Sequence, residues 1–72
     1  MKLALPCGQS VSVDNLAQAS TIVRAATRDM NYHEFYSSEN VGLVTDEGKP
    51  VARVSYNGRV WDPADDKREI LI

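Results

Sequence analysis

Cysteine is all but missing from this chain: Cys7 is the only one among 72 residues, so no intrachain disulfide can form. Small secreted domains compensate for a thin core with several disulfides, and their absence points to a reducing compartment. Histidine is equally scarce, with His33 alone. A zinc site takes three or four closely spaced thiolate or imidazole ligands, more than this chain has. A thiol–imidazole pair of Cys7 with His33 would need an orienting partner, and Glu34 beside His33 points elsewhere, as sequence neighbours do. Cys7 therefore reads as a small buried hydrophobe and His33 as a loop residue. Glycine-rich phosphate loops are missing too, because Gly42, Gly48 and Gly58 each stand isolated. Asp62, Asp65, Asp66 and Glu69 crowd together, but without the alternating ligands, central glycine and terminal glutamate of a calcium loop. No catalytic group, metal or cofactor is expected.

Long apolar runs are lacking as well. Leu3-Ala4-Leu5 stops at Pro6, well short of a signal-peptide core, and nothing approaches membrane-spanning length. With no lipidation motif in view, the cytoplasm is the expected compartment. Size adds a further exclusion. Residues 1–72 read as a single domain, near the lower limit for a core that holds without help, so a deep enclosing pocket would compete with that core. An enzyme is not expected.

What the chain does have is an uneven distribution of charge. The formal net charge is −2, yet up to Arg28 three cations face one carboxylate, and from Asp29 onward five cations face nine carboxylates. Ser12 is placed to cap a helix, Asp14 falls in the first turn, and apolar residues at helical spacing (Leu16, Ala19, Val23, Ala26, Met30, with Ile22 at the edge) mark one buried stripe up to about Met30. The opposite side carries Gln18, Thr21, Arg24 and Arg28. Asn31 to Ser38 is aromatic-rich and reads as either one helical turn or a structured loop.

Val41 to Thr45, Val51 to Tyr56 and Arg59 to Trp61 are β-prone runs separated by turn residues, the pattern of an antiparallel meander. Asp46-Glu47-Gly48 suits a three-residue loop, and Asn57-Gly58 suits a two-residue type I′ turn. That second turn would pair Val54 with Trp61 and place Ala52, Val54, Tyr56 and Trp61 on one side of the sheet, facing the helix. Pro50 should open the middle strand. Ile70 to Ile72 should dock, with a strand beside Lys2 to Leu5 as one way to do so. The fold class is thus α+β: one long helix in the N-terminal half, packed on a small antiparallel β-meander sheet.

The small size, the helix followed by a meander carrying Tyr56-Asn57-Gly58-Arg59-Val60-Trp61, and the acidic second half resemble the phage-encoded anti-CRISPR proteins, in particular those that imitate DNA. The resemblance is one of layout over the whole chain. It implies a cytoplasmic inhibitor in a bacterial host cell, monomeric or a small homo-oligomer, that occupies the basic DNA-binding groove of a CRISPR surveillance complex and does not touch nucleic acid itself. The carboxylates of Asp46, Glu47, Asp62, Asp65, Asp66 and Glu69 lie in turns or a charged loop, where no core role competes for them, and are the expected partner-binding residues. The alternative is a small phage or plasmid regulator that binds nucleic acid through Arg24 and Arg28.

Overall fold

A computed structural model describes residues 1–36 and 40–72, and of Cys7 the backbone alone. The expectation of a buried Cys7 thiol and the end of the aromatic segment, Ser37 and Ser38, lie outside the described parts. The elements run β1 (Lys2–Ala4), a 3-10 turn (Pro6–Gly8), β2 (Ser10–Ser12), α1 (Leu16–Ala26), α2 (Tyr32–Phe35), β3 (Leu43–Asp46), β4 (Lys49–Val54) and β5 (Val60–Trp61). The strands form one antiparallel sheet in the order β2-β1-β3-β4-β5. The α+β layout and the meander are therefore present, on a sheet that gains two strands from the N-terminus.

The helix is shorter than its apolar periodicity predicts: 11 residues, capped by Asn15 instead of Ser12. The sheet claims the residues in between. Ser12 pairs with Lys2 in β2, the Val13 N–H donates to the Met1 carbonyl at 2.8 Å, and Val13 is buried. The Asn15 side chain then accepts from the Gln18 N–H at 2.8 Å, and Gln18 Oε1 accepts from the Asp14 N–H at 2.6 Å. One free donor of the first turn, and the N–H just ahead of the cap, are satisfied in this way. At the other end the Thr27 Oγ1 hydroxyl bonds back to Arg24 O, and the chain leaves through tighter turns, Arg28 N–H to Ala25 O and Met30 N–H to Thr27 O.

One face of α1 meets the sheet. Ala19 and Val23 are fully buried with Leu3, Val44, Ala52, Val54 and Phe35, and Leu16, Ile22 and Met30 pack against that core. The small Ala19 and Ser20 let the helix approach the β4–β5 hairpin closely enough for the Ser20 hydroxyl to donate to Gly58 O at 2.6 Å. Gly42 is a second close approach, with φ at 85°. A Cβ there would collide with the Val54 carbonyl.

The two hairpin turns are of the opposite kinds to those expected. Asp46 pairs with Lys49, leaving Glu47 (φ 53°) and Gly48 (φ 79°) as a two-residue turn with both residues left-handed, which is type I′. At the second hairpin the Gly58 N–H donates to Ser55 O and the Ser55 N–H to Arg59 O, both at 2.8 Å. Only Gly58 is left-handed there, with φ at 85°. Tyr56-Asn57-Gly58 is therefore a three-residue loop, a type I turn completed by a glycine bulge.

The longer loop shifts the register by one residue, so Val54 pairs with Val60 and Arg53 with Trp61. Val60 enters the core and Trp61 moves to the opposite face, correcting the expected side-sharing of Ala52, Val54, Tyr56 and Trp61. The third loop residue sets that register, and the side chain it sends into the core is the smaller Val60. The C-terminus also docks elsewhere than expected. Glu69 bridges to Trp61 and the Ile70 N–H donates to Val60 O at 2.8 Å, at the sheet edge away from β1. Leu71 and Ile72 stay exposed. Pro50 occupies the second position of β4, opposite Thr45 at an irregularity in the ladder.

Candidate functional site

β3 and β5 both run antiparallel to β4, so their following segments leave in the same direction but from different levels of the sheet: Trp61, at the end of β5, lies opposite Arg53, which on its other side faces Leu43 at the start of β3. Those segments are the two acidic ones. β3 ends at Asp46 and turns through Glu47, both exposed. β5 ends at Trp61 and opens into Asp62, Asp65 and Asp66. The Asp46 turn, opposite Lys49, and the start of the loop, level with Arg53, are thus four residues apart along β4, roughly 13 Å, as well as two strand spacings, roughly 10 Å, across it. Glu69 is the exception among the six: it has already turned back to lie opposite Trp61 at the sheet edge.

The acidic loop is built by its own carboxylates. Asp62 Oδ1 accepts from the Ala64 N–H at 2.8 Å and the Asp65 N–H at 3.2 Å. Asp65 Oδ1 accepts from the Lys67 N–H at 3.0 Å, and the Asp62 N–H closes the loop on Arg68 O at 2.8 Å. Asp62 and Asp65 thus hold the loop in shape, a local role beside the one expected of them. Asp46, Glu47 and Asp66 are exposed. Among the described residues no group of three or more histidine, cysteine, aspartate or glutamate side chains is placed to hold a metal ion, and no helix is long and apolar enough to cross a membrane.

Beside this loop, on the face of the sheet turned from the core, lies an open groove of about 530 Å³ lined by Tyr36, Arg53, Ser55, Trp61, Asp62 and Asp66 among others. Trp61 is half-buried and its Nε1–H donates to Ser55 Oγ at 3.3 Å. Tyr36 reaches the groove because Asn31 caps α2 reciprocally with Glu34. Phe35 then enters the core, while Tyr32 and Tyr36 stack one turn apart with ring centroids at 4.6 Å. The Tyr36 hydroxyl accepts from the Tyr56 N–H at 3.1 Å, and the Tyr56 hydroxyl donates to Met30 O at 2.8 Å. This groove escaped the sequence reading, which assigned Trp61 to the core; Tyr56, assigned there too, does pack against the core, edge-on to Phe35. The signal for the groove was the third residue of the Tyr56-Asn57-Gly58 loop.

The basic residues are arranged less favourably for nucleic acid. α1 ends at Ala26, so Arg28 lies beyond the helix and does not extend a one-turn ladder from Arg24. The Arg24 stem covers Gly58, where an added Cβ would come within 2.5 Å of Arg24 Nε. Comparison with protein-family models, curated proteins and solved structures returned no match.

Proposed function

We propose that this chain is a non-catalytic protein-binding module that recognises a partner carrying a basic nucleic-acid-binding groove, and that it inhibits that partner by occupying the groove. The observation that supports the reading is that the Asp46–Glu47 turn and the Asp62–Asp66 loop, which leave β3 and β5 in the same direction, hold exposed carboxylates in short turns. Carboxylates held in short closed turns lose little freedom on binding, and their field speeds the encounter with a basic surface. The adjoining groove supplies what exposed ion pairs lack. Exposed pairs are worth about 0–1 kcal/mol each, whereas a half-buried aromatic such as Trp61, flanked by Tyr36, is the kind of residue on which binding energy concentrates. Among partners of this description, a CRISPR surveillance complex is the one implied by the layout shared with anti-CRISPR proteins.

The test uses the purified chain as bait in bacterial lysate, with the captured partner then purified for kinetics. Reversing Asp46 and Glu47 to Lys, and separately Asp66 to Lys, should slow association and weaken its salt dependence, and duplex DNA should compete for the same partner. Trp61→Ala should act mainly on dissociation. Unchanged kinetics in all three variants would refute the proposal.

A further inference from the structure

Asn57–Gly58 is the one Asn-Gly step in the chain, and the Asn57 side chain is exposed. Such steps are prone to succinimide formation, because a following glycine puts no side chain in the way of its own amide nitrogen as it attacks the carboxamide. The native hairpin holds the reacting groups apart. The Gly58 N–H, the prospective nucleophile, donates to Ser55 O at 2.8 Å. Asn57 Oδ1 accepts both from Ser55 Oγ and from the Arg59 N–H, the latter at 3.3 Å. Asn57 is the third residue of a type I turn, where ψ lies near zero. Ring closure requires the Gly58 nitrogen to rotate to the side of the Asn57 Cβ–Cγ bond. That rotation breaks the bond to Ser55 and displaces a glycine whose carbonyl is held by Ser20 at 2.6 Å and whose α-carbon lies under Arg24.

We propose that Asn57 is a deamidation site gated by opening of the β4–β5 hairpin: inert in the native turn, reactive once the hairpin opens, and, in its isoaspartate product, unable to rebuild the turn afterwards. In the reaction the Gly58 nitrogen bonds to Asn57 Cγ and the Cγ–Nδ2 bond breaks. Ammonia leaves with the proton that Gly58 gives up. Water then opens the succinimide at either carbonyl, yielding aspartate or isoaspartate. Isoaspartate adds a methylene to the main chain, so the bulge and the Ser20–Gly58 contact cannot both be kept. Each product makes the chain one unit more negative than its formal −2. The hairpin therefore converts transient unfolding into a permanent chemical mark at the contact between α1 and the sheet.

The full chain is incubated at mildly alkaline pH with and without urea, digested, and the peptide spanning residues 54–61 resolved by mass spectrometry into asparagine, aspartate and isoaspartate forms. The folded chain should react at least about tenfold more slowly than the unfolded one, since only its open fraction is competent. Ser55→Ala removes the hydroxyl clamp but keeps the backbone bond from Gly58. It should raise the folded-state rate severalfold, in step with faster hydrogen exchange at the Gly58 amide. Equal or faster reaction in the folded parent would overturn the proposal. So would slower reaction in Ser55→Ala, which would make that hydroxyl an activator of the carboxamide. The parent comparison stands without any variant should Ser55→Ala fail to fold.

Discussion

Gly42→Ala and Gly48→Ala form a pair that separates backbone conformation from steric contact. Both glycines are left-handed, at φ 85° and 79°, so either alanine costs about 1–2 kcal/mol for that conformation alone. Around Gly48 there is open space, and the cost stops there. At Gly42 the new Cβ meets the Val54 carbonyl, which belongs to the neighbouring strand and cannot rotate aside. The backbone must shift, and two bonds made by Gly42 are then at risk: its N–H to Ala4 O and its carbonyl from the Val54 N–H, both at 2.8 Å. Each is worth about 0.5–1.5 kcal/mol net, which brings the expected loss to about 2–5 kcal/mol for Gly42→Ala, against about 1–2 kcal/mol for Gly48→Ala. A chain of this size has about 4–10 kcal/mol in total, so the first variant should be close to unfolding and the second should not. Urea titration followed by far-ultraviolet circular dichroism reads both. Equal losses would refute the strand contact at Gly42.

Three further substitutions test the elements around it. Glu47→Asn, at the first position of the type I′ turn, should raise stability by about 0.5–1 kcal/mol, because asparagine adopts the left-handed conformation more readily; a lower thermal midpoint would contradict that turn. Ser20→Ala strips the Gly58 carbonyl of its buried donor and should cost about 1–2 kcal/mol in chemical denaturation, so a stability equal to the parent's would leave the hydroxyl without a role. Val23→Asp places an unpaired charge at a fully buried position and should abolish cooperative unfolding, whereas a melt like the parent's would contradict the helix face.

The α+β class, the meander and the buried stripe of α1 were legible because each rests on periodicity spread over many residues. What was not legible turned on competition for single residues. Ser12 is a good cap in isolation, but the ladder with Lys2 claims it, and nothing local in Ser10-Val11-Ser12 announces a strand. Asn57-Gly58 favours a type I′ turn locally, yet the pairing of Val54 with Val60, both buried in the core, outweighs that preference, and the glycine serves a bulge instead. The six carboxylates could be picked out from composition and turn position. Their relative placement could not, since it depends on strand direction and register, and neither could the internal bonds that tie down Asp62 and Asp65.

Trp61 is the only tryptophan of the chain, and its place on the face turned from the core, bonded through Nε1 to Ser55, decides what its fluorescence can report. The emission follows the β4–β5 hairpin and the groove, while α1 is seen by circular dichroism alone. The two signals therefore watch opposite sides of the same sheet. A ligand settling against Tyr36 and Trp61 should shift the emission while leaving the helical signal untouched, giving a label-free titration on the unmodified chain.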